Sequence, residues 1–190
     1  MPPVSKPGVR VGGEDLITDL FEAMSELHYL DDAQQGAAFV LTLAMEKLPS
    51  EAGLVSLFDI DTREFVVVKQ TGGSKSGLLL RLSERAELQR KAMRSTKAIV
   101  LSKLDDSAKI DSRWDQIGVE PRSLICAPVE RGGRYLGLVE LANPLDGKNF
   151  SAADGNALEY IGEQFGEFLS ERGVLIDPDE VVANAEADVD

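Results

Sequence analysis

Apolar residues recur at helical spacing in two stretches near the start of the chain. The first runs from Leu16 to Leu27 and places its apolar side chains on one stripe of an amphipathic helix. The second runs from Ala33 to Leu48, and Pro49 ends it because proline cannot donate the next helical hydrogen bond. The pattern therefore predicts two consecutive helices.

From residue 52 onward the period becomes that of strands. The segments GLVSLFDI and EFVVVKQ flank a short polar turn, and SLICAPVE and RYLGLVELAN flank the tight turn Arg131-Gly132-Gly133. Between them KAIVLS predicts a single strand, followed by an irregular polar stretch over residues 105–121. We expect two hairpins and one further strand.

Two more helices are predicted from their boundary residues. One runs from about Ser83 to Ser95, with Ser83 as its N-cap. The last begins after Ser151, has Asp154 as the reciprocal capping partner, and ends at Gly173 in a left-handed stop. Because hairpins dominate the connections, the sheet should be antiparallel, and apolar residues on both faces of several strands indicate that helices cover both sides.

The two ends of the chain differ in composition from the middle. Residues 1–13 are rich in proline and glycine and predict a flexible arm, whereas residues 174–190 carry six acidic and no basic residues and predict a solvated, disordered tail. A single domain over residues 14–173 is therefore expected.

Charge and residue counts exclude several classes of function. The net charge of -13 opposes binding to nucleic acid or to an anionic membrane. One cysteine and one histidine exclude a disulfide, a thiolate zinc site and a two-thiol redox cycle, so we expect neither an enzyme nor a metal protein. The chain has no apolar run long enough to cross a bilayer and no secretion signal, which makes the cytoplasm its expected location.

The late part of the chain carries a family resemblance. The stretch SLICAPVERGGRYLGLVELANPLDGKNFSAADGNALEYI resembles the second half of a GAF domain, and DSRW and MRSTKAIVL resemble the family's segments further upstream. The resemblance extends from about Leu16 to Gly173. It implies an α+β, PAS-like antiparallel sheet of about five or six strands with helices on both faces, and a ligand-type cavity under the middle helix.

A signature of cyclic-nucleotide-binding GAF domains is present only in part. Asn143, Phe150 and Asp154 match it, whereas Pro144 and Gly155 replace its lysine and its glutamate. The salt bridge of those members cannot form, which weakens the cyclic-nucleotide interpretation. The resemblance implies that Asn143, Phe150 and Asp154 brace a loop without touching ligand.

Polar residues around the expected cavity are the candidate ligand contacts. They are Ser74, Lys75, Arg81, Arg85, Trp114, Arg122 and Ser123. Residues 81–97 carry six basic and two acidic side chains. This positive charge could attract an anionic ligand or the acidic tail. Alternatively, the basic side chains form a solvated helix face. Trp114 is either a lid over the cavity or a cap on the sheet edge.

Glycines form a stripe along the last helix. Gly155, Gly162 and Gly166 project along one line, which favours close approach by another helix. Either the first helix of the same subunit fills this groove, or the groove is the interface of a homodimer, as the family's habit of pairing through terminal helices implies.

The resemblance implies a non-catalytic sensory module that binds a small molecule. Since residues 1–190 contain no recognisable output domain, it would signal through a separate partner protein. The alternative is a scaffold or adaptor that binds no ligand and acts by dimerisation through its terminal helices. The sequence identifies neither the ligand nor a cofactor.

Overall fold

The computed structural model describes residues 13–105 and 109–187. Six α-helices are assigned in this part of the chain: α1 Gly13–Met24, α2 Ala33–Lys47, α3 Glu87–Ser95, α4 Arg113–Gln116, α5 Ala152–Arg172 and α6 Pro178–Ala187. Six strands are assigned there: β1 Ser50–Asp59, β2 Glu64–Gly72, β3 Arg81–Ser83, β4 Ile99–Leu101, β5 Leu124–Arg131 and β6 Arg134–Pro144. A 3-10 turn, Ser25–Tyr29, follows α1.

The strands form one sheet in the order β3-β2-β1-β6-β5-β4, and every neighbouring pair is antiparallel. Two hairpins, β1–β2 and β5–β6, supply the four long strands. Arg131 pairs with Arg134, so Gly132 and Gly133 alone make the second turn. Both have positive φ, 58° and 79°, which this kind of hairpin requires and which glycine adopts without strain. The predicted antiparallel sheet is confirmed.

Helices cover both faces of the sheet. Helices α1, α2 and α5 bury Leu20, Leu41 and Phe165 in one core cluster with strand residues such as Ile125. On the other face, α3 packs Ala92 and Met93 into a second cluster that contains Cys126. Successive strand residues point to opposite faces, so Ile125 and Cys126 mark the two sides. The expected arrangement of helices around the sheet is therefore confirmed.

The segment before α3 differs from its prediction. The helix expected from Ser83 begins at Glu87, because residues 81–83 continue the sheet as β3, with Arg81 opposite Val66. Ala86 occupies the N-cap without a side-chain bond, and the Ser83 hydroxyl accepts a hydrogen bond from the Arg85 amide in the preceding turn. Strand pairing has taken Ser83, the predicted N-cap, and residues 84–86 form a turn before the helix.

The C-terminal segment is also more ordered than expected. The Asp177 carboxylate accepts hydrogen bonds from the amides of Asp179 and Glu180, and Pro178 takes the first helical position. Val181 is 1% exposed and packs into the core cluster of α1, α2 and α5. Where a disordered tail was expected, the structure has a helix over residues 178–187, which one apolar side chain and a cap attach to the domain. Residues 1–12 of the expected arm over residues 1–13, and the last three residues of the tail, lie outside the described residues.

The glycine stripe of α5 faces the sheet of the same chain. A Cβ atom at Gly162 would lie 2.6 Å from the Pro128 carbonyl oxygen, and one at Gly166 would lie 2.6 Å from that of Glu130. At Gly155 it would lie 2.5 Å from Cγ2 of Val100. These glycines let α5 approach β5 and β4 closely, so they are open neither to a second subunit nor to the first helix. The dimer interface predicted at Gly155, Gly162 and Gly166 is corrected accordingly. Gly173 ends α5 at φ 88°, in the positive-φ region that glycine adopts without strain, so the predicted glycine stop is confirmed, with ψ at 162°.

Candidate functional site

Four polar side chains meet between α3 and the sheet. Arg113 begins α4, Asp111 precedes it, Glu140 lies on β6, and Gln89 lies on α3. The side chains of Arg113 and Glu140 are each 2% exposed, and Gln89 is 1% exposed as a residue. Charged groups are rarely buried to this degree unless they are paired. We call these four residues the buried polar cluster.

The guanidinium of Arg113 binds both carboxylates of the cluster. Its Nη2 donates to Glu140 Oε1 at 2.7 Å, and its Nε donates to Asp111 Oδ1 at 2.7 Å. The Gln89 amide nitrogen donates to Glu140 Oε2 at 2.9 Å and to Asp111 Oδ2 at 3.2 Å. The cluster thus joins α3, β6 and the loop before α4.

Local structure explains how each charge reaches the interior. In β6, Val139 and Leu141 belong to the core on the side of α1, α2 and α5, so strand alternation turns Glu140 toward α3. The Arg113 amide donates to Asp111 Oδ1 at 3.1 Å, which closes a turn and brings the two side chains together. Glu140 lies opposite Cys126 on β5, near the centre of the sheet.

The two carboxylates respond differently to this environment. Burial raises the pKa of Glu140, and it outweighs the opposing attraction of Arg113. For Asp111, burial also raises the pKa, but the hydrogen bonds and the charge of Arg113 prevail and hold it below the usual value. The cluster carries two carboxylates against one guanidinium. Glu140 is therefore the carboxyl group that takes up a proton more readily.

Two buried donors beside the cluster lack acceptors. Within the described residues, Nη1 of Arg113 and Nε1 of Trp114 have no hydrogen-bond partner. Buried polar atoms in native structures almost always have one, because an unmet donor forfeits its bond to water. Each of these two neighbouring residues therefore keeps one donor that the described residues leave without an acceptor.

The structure separates the sequence-predicted ligand residues. Trp114 is 1% exposed and packs in a core cluster with Leu54 and Leu124, so it is a buried residue that lies against the sheet. The Ser123 hydroxyl donates to the Leu101 carbonyl oxygen. Neither Trp114 nor Ser123 lines an open cavity mouth.

Arg122 and Ser123 belong to a brace built around Asn143. The Asn143 side-chain oxygen accepts hydrogen bonds from the amides of Arg122 and Ser123 at 2.6 and 3.2 Å. Its nitrogen donates to Glu51 Oε2 at 2.7 Å and to the Glu120 carbonyl oxygen at 2.8 Å. Asn143 has φ 60°, a left-handed conformation that asparagine tolerates better than most residues. The side chain of Arg122 itself is exposed.

The other two motif residues also make internal contacts. The Phe150 amide donates to the Ser123 hydroxyl at 2.9 Å, and its side chain is buried. Asp154 and Ser151 form a reciprocal capping box at the start of α5. These contacts fix the loop between β6 and α5.

The remaining predicted residues lie outside the cluster. Ser74 and Lys75 line a shallow cavity of about 300 Å³, and their amides donate to the Ile117 carbonyl oxygen. The exposed Arg81 pairs with Asp59 at 3.1 Å and with Glu64 at 3.4 Å. Arg85 lies exposed in the turn before α3, outside the buried polar cluster.

Sequence reasoning missed all four residues of the buried polar cluster. One signal was present, since Glu140 is the single charge within the apolar run LGLVELAN and falls on an inward-facing position. Arg113 and Asp111 lie in the polar stretch read as irregular, where nothing local indicates burial. No group of three or more metal-ligating side chains occurs in residues 13–105 and 109–187.

Comparison with known proteins identifies this architecture. A model of the family described as "GAF domain" matches residues 15–169. The chain belongs to the GAF domain family. No curated protein is similar enough in sequence to count as a match. Across the part of the chain that the structure describes, no helix is long and apolar enough to cross a membrane.

Solved GAF structures share the fold at low sequence identity. The GAF domain of a phosphoenolpyruvate-protein phosphotransferase from Coxiella burnetii is 17% identical, with a TM-score of 0.67 over 82% of this chain and 93% of that one. Free methionine-R-sulfoxide reductase from Neisseria meningitidis, solved with its substrate, is 14% identical, with a TM-score of 0.66 over 86% and 95%. The GAF domain/HD domain protein from Geobacter sulfurreducens is 18% identical, with a TM-score of 0.62 over 80% and 99%. These similarities establish the GAF fold.

Proposed function

We propose that this GAF domain is a non-catalytic regulatory module. It binds a small polar molecule at the buried polar cluster and signals through a separate partner protein. The proposal keeps the cytoplasmic location expected from the sequence.

The observation that carries the proposal is the burial of the Arg113 and Glu140 charges beside a partly buried Asp111, together with two unmet donors. Buried charged side chains are an expensive way to fill a core, since apolar side chains of similar volume would serve stability equally well. Nη1 of Arg113 and Nε1 of Trp114 lack partners among the described residues, and both are donors. A ligand with carboxylate, carbonyl or amide oxygens suits them, because such oxygens accept hydrogen bonds.

The cysteine supports a role other than thiol catalysis. Cys126 is the single cysteine of the sequence, and it is fully buried in β5. Burial raises the pKa of its thiol well above the usual value, and the nearby Glu140 carboxylate adds to this effect. A thiol of this kind forms little thiolate, which is the reactive species. The protein shares its fold with a reductase, but the thiol of Cys126 is not an exposed nucleophile.

Native mass spectrometry tests the proposal. The purified protein is incubated with the small-molecule fraction of a cell extract, exchanged into volatile buffer and weighed. We expect a retained mass that denaturation releases and that the double variant Arg113→Met/Glu140→Leu loses. Retention of no molecule by a correctly folded wild-type protein would contradict ligand binding.

A ligand-free scaffold that pairs through terminal helices is the second candidate. It is favoured by the outer face of α1, where Ile17 is 40% exposed and Phe21 is 70% exposed, four residues apart on one side of the helix. Light scattering on wild type and Phe21→Glu tests it. A wild-type dimer that becomes monomeric in the variant would support the scaffold, and a monomeric wild type would contradict it.

A further inference from the structure

Helix α3 has two chemically different faces. Its inner face buries Gln89, Ala92 and Met93 against the sheet. Its outer face and the turn before it expose basic side chains, which are Arg85, Arg90, Lys91 and Arg94. We call these four residues the basic face.

The basic face keeps a net positive charge. Glu84 is held by Arg63 through two bonds of 2.9 and 2.6 Å and also acts electrostatically on Arg85 and Arg90, and Glu87 lies on α3 itself, so two carboxylates stand against four basic side chains. In residues 13–105 and 109–187, none of the four basic side chains lies within ion-pairing distance of a carboxylate. Arg90 and Arg94 are also four residues apart, a spacing at which like charges repel. This positive surface lies on a chain of net charge -13.

Two adjoining grooves run along the basic face. One, of about 440 Å³, lies toward Arg63, Glu84 and Tyr135. The other, of about 710 Å³, lies toward Glu87, Lys91 and Ser95. Arg85, Arg90 and Arg94 line both grooves. The surface is therefore long and open, which suits a chain segment better than one enclosed small molecule.

We propose that the basic face of α3 binds an acidic segment of a partner protein. Charge complementarity and spacing support this occupant. Residues four apart in a helix are separated by about 6 Å along its axis, and alternate side chains of an extended peptide by about 6.6 Å. Carboxylates at alternate positions of such a segment would therefore meet Arg90 and Arg94 in succession.

Other anionic occupants fit less well. The chain's own acidic helix α6 is held on the opposite face of the sheet, where Val181 packs in the core of α1, α2 and α5. Nucleic acids and anionic membranes carry dense negative charge that the net charge of -13 repels. An acidic protein segment carries fewer charges and presents them only where they meet the basic face.

This inference rests on the proposed function, because it names the surface that the partner protein would bind. Gln89 of α3 contacts the buried polar cluster, and Arg90 beside it belongs to the basic face. A change at the cluster thus reaches the docking surface within one helix. Direct peptide binding measured without a small-molecule ligand nevertheless tests the surface alone.

The test uses a fluorescein-labelled peptide of about eight residues in which glutamate alternates with serine. Fluorescence anisotropy measures its binding to the wild-type protein, to Arg90→Glu/Arg94→Glu, and to the control Arg131→Glu/Lys148→Glu. Arg131 and Lys148 are exposed basic residues outside α3, so both double variants change the net charge equally. We expect at least about tenfold weaker binding for the α3 variant and less than about twofold for the control.

A second variant guards against a folding defect. Arg90→Glu places a carboxylate four residues before Arg94, a favourable helical pair, so this variant should fold at least as well as the wild type. It should still weaken peptide binding by about fivefold or more. Urea unfolding checks the stability of each variant.

Three results would overturn the inference. The first is no peptide binding by folded wild type at low salt. The second is an equal loss of binding in both double variants, which would indicate nonspecific charge attraction. The third is tighter binding of inorganic pyrophosphate or of a single-stranded oligonucleotide to the same residues, which would assign the surface to phosphate groups. A protein that binds peptide here but retains no small molecule at the cluster would contradict the proposed function and leave the docking surface standing.

Discussion

Replacing Arg113 by methionine should destabilise the fold strongly. The guanidinium is the one positive charge in the buried polar cluster, and it holds Glu140 at 2.7 Å and Asp111 at 2.7 Å. Methionine fills a similar volume but leaves a fully buried Glu140 carboxylate without its cation. The Gln89 amide and the Cys126 thiol are then its remaining side-chain partners.

The expected cost is about 3–5 kcal/mol, the range found when one partner of a buried ion pair is removed. In a chain of this size, each kcal/mol lowers Tm by about 2–4 °C, so the decrease is about 6–20 °C. Asp111 contributes less to this cost because its side chain is 13% exposed and reaches water more easily.

A double-mutant cycle isolates the cause. Arg113→Met/Glu140→Leu removes both charges, and its stability should return to within about 1–2 kcal/mol of the wild type, because paired buried charges and apolar side chains are close to equivalent in free energy. Urea unfolding of the wild type, both single variants and the double variant measures the coupling. A double variant no more stable than Arg113→Met would refute the view that charge compensation holds the cluster together.

Three further predictions concern single positions. The folded-state pKa of Glu140 lies above its unfolded value of about 4.3, so the unfolding free energy of the wild type should fall as pH rises between these two pKa values. Glu140→Gln should lose this pH dependence. If the unfolding free energy changed equally in both proteins between about pH 5 and about pH 8, the reasoning would be contradicted. Gly162→Ala should cost about 1–2 kcal/mol in urea unfolding, since its Cβ meets a backbone oxygen. Gly155→Ala should also destabilise, because its Cβ meets the stiff, β-branched Val100, but by less, since Val100 lies on the half-buried edge strand β4; a Gly155→Ala cost that exceeds that of Gly162→Ala would argue against this packing. Asn143→Ala should lower the unfolding free energy by about 2–4 kcal/mol, because it breaks the side-chain hydrogen bonds and strains the left-handed backbone. Asn143→Gly should recover about 1 kcal/mol of this loss, since glycine adopts positive φ freely. A higher Tm for Asn143→Ala than for Asn143→Gly would refute the role of the backbone conformation.

Elements coded by local signals could be predicted from the sequence. The apolar period locates α2, the box of Ser151 and Asp154 begins α5, and the glycine pair at 132–133 sets the second hairpin. Each signal acts over a few residues, so it needs no knowledge of the tertiary structure. Family resemblance adds the size of the sheet, about five or six strands, whereas the order of the strands comes from the structure.

Features that depend on distant partners could not be predicted in the same way. The spacing of Gly162 and Gly166 indicated a close backbone approach, but only the fold shows that the approaching surface is β5. Acidic composition suggested a disordered tail, whereas Val181 finds a place in a core formed by remote helices. Glu140 and Arg113 are 27 residues apart, so their ion pair exists only after the sheet and α4 have come together.

The two proposed sites share α3, and this limits how a signal could pass between them. A helix of nine residues has little stability of its own, so contacts with the sheet fix its position. Gln89 supplies two of these contacts by donating to Asp111 and Glu140, while Ala92 and Met93 supply the apolar ones. The oxygens of the proposed ligand would compete with the two carboxylates for the Arg113 guanidinium, and Gln89 donates a hydrogen bond to each of these carboxylates. The apolar contacts alone tolerate small sliding, because they are not directional. A carboxylate that moves away from Arg113 would therefore weaken a Gln89 bond and let the outer arginines shift with the helix, and no longer pathway is required.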